Sequence, residues 1–269
     1  MWINRTRKAT GRRAVETGLA LCLALMVAGC ASGMTTGSIT RTGKAVEQMS
    51  AQELDGASDS LGEAYAKDPN DKETALRFAS VLQMNGKPDQ ALAVMRKTAI
   101  LHPKDRQVLA AYGKALAGAG QFEPALDAVR RAQTPEYPDW KLLSAEGAIL
   151  DQLGKQAEAR ALYRKALDLK PNEPSVMSNL GMSYVLEGDL RTAEVQLRSA
   201  AQAPGADSRV RQNLALVVGL QGRFEEAEQI ARQELSPDQA KANVDYLRSM
   251  LAQQNAWSQI KEEDKPTTN

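Results

Sequence analysis

The chain has 269 residues, a formal net charge of +1, 4% aromatic residues, one histidine and two cysteines. A charge so close to zero gives no electrostatic footprint for nucleic acid. One histidine and two cysteines fall short of the common zinc ligand sets, and no Gly-x-x-x-x-Gly-Lys-Ser/Thr run offers a phosphate cradle.

Residues 1–29 have the pattern of a cleaved export signal. Arg5, Arg7, Lys8, Arg12 and Arg13 precede an apolar run from Gly18 to Gly29. That run is shorter than the ~20 residues a spanning helix needs. Arg12-Arg13 invites a twin-arginine reading, but Gly11, Ala14, Val15 and Glu16 fit that motif poorly and the general secretory route fits better. The segment Met26-Val27-Ala28-Gly29-Cys30 resembles the bacterial lipobox. The resemblance implies cleavage after Gly29 and acylation, palmitate included, of the new N-terminal Cys30. Two or three acyl chains would make the anchor effectively permanent, whereas one chain binds membranes reversibly. Ala31, in place of the inner-membrane retention aspartate, implies an outer-membrane lipoprotein facing the periplasm. Cys22 lies in the removed segment, so Cys30 is the one cysteine left and no internal disulfide is expected. Removing five bases and one acid from 34 and 33 turns the net charge from +1 to −3.

Residues 30–49 comprise the lipidated cysteine and a Gly-, Ser- and Thr-rich stretch of the kind that forms a flexible tether. Residues 50–71 are expected to form an N-terminal half repeat that caps the fold. Ser50-Ala51-Gln52-Glu53 has capping-box spacing, and Leu54, Ala57, Leu61 and Ala64 make a helical stripe.

Residues 72–241 hold five copies of one 34-residue unit. Gly86, Gly120, Gly154, Gly188 and Gly222 mark the period, and Ala91, Ala125, Ala159, Ala193 and Ala227 follow each by five residues. With position 1 at Lys72, Arg106, Trp140, Pro174 and Ser208, position 8 is always small (Ala79, Gly113, Gly147, Gly181, Ala215). Position 11 is always large and apolar (Leu82, Leu116, Leu150, Tyr184, Val218). Each unit therefore predicts two helices, the first closed by a glycine free to adopt a left-handed conformation. Pro103 and Pro171 end second helices at the unit junctions.

These columns resemble the tetratricopeptide repeat, most fully in Leu180-Gly181-x-x-Tyr184 with Ala193 and Ala200. The Trp of that consensus at position 4 is missing, the column holding Ala75, Leu109, Leu143, Met177 and Arg211. Glu146 is the clearest misfit at position 7, explained either by a partner contact or by a local register shift that leaves it wet. Residues 242–260 carry the stripe Val244, Leu247, Leu251 and Trp257 of a C-terminal capping helix, and 261–269 form a disordered tail. The expected fold is all-α: a right-handed superhelical solenoid of about twelve helices.

No catalytic residue, metal site, cofactor or small-molecule substrate is expected. His102, beside Pro103, fits a solvated or capping turn position and has no Gly-x-Ser-x-Gly partner. The function implied is protein binding. In such superhelices the first helices line the binding face through positions 2, 5, 6, 9, 12 and 13. Here the first half of that face is mixed, with Glu73, Ser80, Gln83, Lys114, Lys141 and Asp151, and the second half is less polar. The candidate peptide-binding groove comprises Asn179, Asn213, Met182, Val185 and Leu216, flanked by Leu186 and Leu220. An asparagine amide offers two donors and an acceptor, so two of them one period apart can hold a peptide backbone. The competing reading makes them ordinary surface residues, with the apolar group packed under the terminal helix of Leu247 and Leu251.

The segments Pro204–Phe224 and Asn243–Arg248 resemble the TadD-like lipoproteins of the tight-adherence (Tad/Flp) pilus assembly system. The resemblance implies an outer-membrane-anchored, pilotin-like assembly factor that binds secretin subunits or other components of the pilus secretion channel. The alternative is a general periplasmic scaffold lipoprotein serving peptidoglycan enzymes or outer-membrane protein insertion.

Overall fold

The computed structural model describes Val46, residues 49–134, Glu136 and residues 138–263, with side chains described to Gln253. Cys30, the export signal, most of the tether and the last residues of the tail lie outside the described residues. Among the described residues there are twelve α-helices and no β-strand, so the chain is all-helical as the period predicts. No described helix is long and apolar enough to cross a membrane. The chain divides into two compact units, residues 1–138 and residues 139–269.

The first unit contains α1 (Ala51–Lys67), α2 (Lys72–Met84), α3 (Pro88–Leu101), α4 (Arg106–Gly118) and α5 (Phe122–Ala132). The capping box forms as its spacing predicts. The Ser50 amide donates to Glu53 Oε2 at 2.7 Å, and the Glu53 amide donates to Ser50 Oγ at 3.3 Å. Asp71 and Asp105 cap α2 and α4 by accepting from first-turn amides. Lys72 Nζ then reaches Asp105 at 3.0 Å, tying the starts of two successive first helices. Val46, in the segment read as tether, is buried and clusters with Leu54 and Val81.

The second unit contains α6 (Trp140–Gln152), α7 (Gln156–Leu169), α8 (Pro174–Glu187), α9 (Leu190–Gln202), α10 (Ser208–Leu220), α11 (Phe224–Ala231) and α12 (Pro237–Glu263). Its last period departs from the pattern. Helix α11 has only eight residues, and α12 begins at Pro237, ahead of the boundary at 242 that the stripe suggested. Ala240, Val244 and Leu247 are the buried face of α12.

One packing rule serves both units. The five ladder glycines have φ between +67° and +87°, a region that penalises any Cβ, which is why the residue recurs. The five ladder alanines are at most 1% exposed. The small column at position 8 is a helix-crossing point. A Cβ on Gly113 would stand 2.6 Å from Val129, and one on Gly181 2.8 Å from Leu197. At Gly113, Gly147 and Gly181 the backbones approach until only hydrogen fits, and the facing side chains Val129, Tyr163 and Leu197 are deeply buried.

Two expectations are corrected. Glu146 is not left wet: it is buried on α6 and is not without a polar partner. No register shift occurs there, since the neighbouring Gly147 and Leu150 keep their buried columns. Asp151, expected to line the open face, is also buried.

Candidate functional site

The two asparagines occupy equivalent places on α8 and α10. Asn179 Nδ2 donates to Ser144 Oγ of α6 at 3.1 Å, and Asn213 Nδ2 donates to Ser178 Oγ of α8 at 3.0 Å. Both serines are buried and both asparagines half-buried. A Ser-Asn rung thus occurs twice, one period apart, and links the first helices α6 to α8 and α8 to α10. Each rung uses one amide donor; among the described residues, the second N–H and the carbonyl oxygen remain for another partner.

The apolar members divide. Met182 is 5% exposed and belongs to the core, whereas Val185 and Leu216 are half-buried. Leu247 Cδ2 sits over Gly219, 2.5 Å from where a Cβ would be, and so marks where α12 meets α10. The face that stays partly open on α8 and α10 therefore consists of Asn179, Asn213, Val185 and Leu216.

Beneath that face lies a buried polar joint that the period does not announce. Asp151 of α6 accepts from Tyr163 Oη of α7 at 2.9 Å and from Ser183 Oγ of α8 at 2.7 Å. One carboxylate therefore joins three helices of two successive repeats. Burial raises its pKa to about 6; the two hydroxyl donors and the positive field of Arg160 oppose that rise without cancelling it. Arg160 is itself mostly buried. It donates to Glu187 at 3.0 Å and lies over the Tyr184 ring, 4.9 Å from its centre. Arg164 donates to the Tyr184 hydroxyl at 3.2 Å. The signal that could have revealed the joint is Ser183, the polar residue in a buried column otherwise holding Val81, Ala115, Ile149 and Val217.

A second polar group binds α9 to α10 and α11. Glu194 accepts from Arg198 at 2.7 Å, from Gln221 at 2.8 Å and from Arg223. Arg223 lowers the Glu194 pKa most, to about 2, with Gln221 and Arg198 adding to it against the opposing effect of burial. His102 is the C-cap residue of α3 and half-buried, its amide donating to Thr98. Among the described residues no group of histidine, cysteine and carboxylate side chains is arranged to hold a metal.

Tetratricopeptide repeat models match residues 48–115, 140–173 and 209–233. No curated protein sequence matches the chain. Among solved structures, PilW, described as a widely conserved type IV pilus biogenesis factor, aligns with a TM-score of 0.58 at 20% identity. The alignment covers 76% of this chain and 94% of PilW. TTC0263, a repeat protein of Thermus thermophilus, aligns with a TM-score of 0.58 at 21% identity over 67% of this chain and 98% of its own. The Cut9–Hcn1 structure aligns with a TM-score of 0.57 at 18% identity, over 71% of this chain and 38% of the matched one. Identities this low speak for the fold. With the 34-residue period, the paired helices, the left-handed glycine between them and the three matched segments, they show that the chain has a tetratricopeptide-repeat fold.

Proposed function

We propose that this protein is a lipid-anchored, pilotin-like assembly factor that binds a secretin or another component of a Tad/Flp pilus secretion channel at the outer membrane. The observation that carries the binding part is the repeated Ser-Asn rung. It places two half-buried amides in one geometry, beside half-buried Val185 and Leu216. A backbone held by the amides would insert side chains against the apolar pair, which gives affinity with modest sequence demand. The mechanism is stoichiometric: hold an exposed client segment until the channel ring assembles. Support for the pilus context comes from the Pro204–Phe224 phrase, and PilW is a pilus biogenesis factor built on this same fold. The anchor follows from the lipobox around Cys30.

The test is a deletion strain complemented with the intact gene or with Cys30→Ser, scored for surface pili and secretin multimers. Deletion is expected to lose both, and the serine form to rescue incompletely. Normal pili in the deletion strain would exclude the pilus role. A cell-wall defect in its place would favour the general scaffold.

A further inference from the structure

The end of α3 combines two features that one cause does not explain. Arg96 and Lys97 are exposed on its last turns, Lys104 follows in the next loop, and Arg131 of α5 reaches over to donate to the Pro103 carbonyl at 3.2 Å. Cations at a helix C-terminus complement its dipole, so charge alone would be unremarked. Ile100 is different. It is 74% exposed, and it stands three and four residues beyond Lys97 and Arg96, on their side of the helix. Leu101 beside it is 44% exposed. The nearest acid on α5, Asp127, pairs with Arg131 at 3.5 Å.

We propose that this tip of the first unit docks on an anionic phospholipid surface. Ile100 and Leu101 would enter the boundary between headgroups and acyl chains. The four cations would lie over phosphates, their alkyl stems covering the same apolar patch. Charge complementarity is one argument for this occupant. The other is where the leading chain attaches. It joins the first unit at Val46, which packs on Leu54 and Val81. Residues 31–45, fully extended, reach about 50 Å, whereas α3 is about 20 Å long. Acylated Cys30 would therefore hold a bilayer within reach of the tip at high effective concentration. This second argument rests on the lipidation reading of Cys30; the patch itself does not.

The test uses the chain from residue 30 onward carrying Cys30→Ser, so that neither the basic, apolar export signal nor an acyl chain contributes, sedimented with phosphatidylcholine vesicles with and without phosphatidylglycerol. Binding is expected only with phosphatidylglycerol and is expected to weaken with salt. The pair Arg96→Gln and Lys97→Gln is expected to weaken it about tenfold or more, and Ile100→Ser several-fold. All three positions are exposed, and unchanged unfolding curves verify each variant. No binding to anionic vesicles, or equal binding by all variants, overturns the proposal. So does a photo-crosslinker at position 97 that captures protein and no lipid in cells, which would indicate an acidic protein partner. The mass of the processed N-terminus reads the anchor separately, and pilus assays read the client role separately.

Discussion

Ser183 Oγ donates to Asp151 Oδ1 across 2.7 Å, from the first helix of one repeat to the first helix of the repeat before it. The carboxylate is buried at a junction that in neighbouring repeats is apolar, so it makes the junction responsive to protons.

The sign of that response follows from the raised pKa. The unfolded chain releases this proton near 3.8 and the native chain near 6, so between those values the native state binds more protons. The contribution of Asp151 is therefore most favourable below pH 4 and is lost as pH rises through 6. Asp151→Asn removes the titration. Urea unfolding at pH 4.5 and at pH 8 should show the wild type losing on the order of 2 kcal/mol relative to the variant between the two. Parallel pH profiles for the two proteins would rule this out.

Glu194 acts in the opposite direction. Its native pKa of about 2 lies below the ordinary 4.5, so its stabilisation is present above pH 4.5 and is lost as pH falls towards 2. Glu194→Gln is expected to cost about 1 kcal/mol at neutral pH, less in high salt, because Arg198 and Arg223 are substantially exposed. Thermal unfolding with and without added salt measures both.

The crossing glycines and the exposed ones should respond with opposite signs. Gly181→Ala puts a methyl 2.8 Å from Leu197 and 3.2 Å from the Ala193 carbonyl, so it should destabilise by about 1–3 kcal/mol. Gly56→Ala, inside α1 with nothing within 4 Å, should stabilise by about 0.5–1 kcal/mol. Denaturant midpoints for the two variants decide it.

The rungs allow binding to be separated from folding. Asn179→Ala with Asn213→Ala, and Ser144→Ala with Ser178→Ala, break the same two hydrogen bonds, each worth about 1 kcal/mol. Both pairs should lower thermal stability comparably. Client capture should fall only in the asparagine pair, since the serine pair leaves the amides in place. Equal capture by both would reduce the rungs to structural ties.

Much of the fold was legible because its determinants repeat. A positive φ at Gly154 or a methyl-sized gap at Ala159 is a local requirement, imposed again every 34 residues, and the chain shows it directly. The polar joint was not legible because its members come from three unrelated columns, and only the register of α6, α7 and α8 brings them together. Asp151 and Glu146 looked solvated since most carboxylates are; a partner supplied by tertiary packing reverses that. The face was half legible. Position 9 is buried at Met182 and half-buried at Leu216, as α10 is followed by the shortened α11 and by α12 where α8 is followed by a full repeat.

That shortening has a wider consequence. Any stack of identical modules can in principle keep growing, since each module leaves behind the surface that its successor would occupy. Helix α11 stops after eight residues and α12 takes the vacant position, burying Ala240, Val244 and Leu247. What it then turns outward includes Asn243, Asp245 and Arg248, all exposed. A further repeat stacking on this face would have to bury these amides and charges beside exposed Tyr246, so α12 acts as a cap on the repeats that precede it.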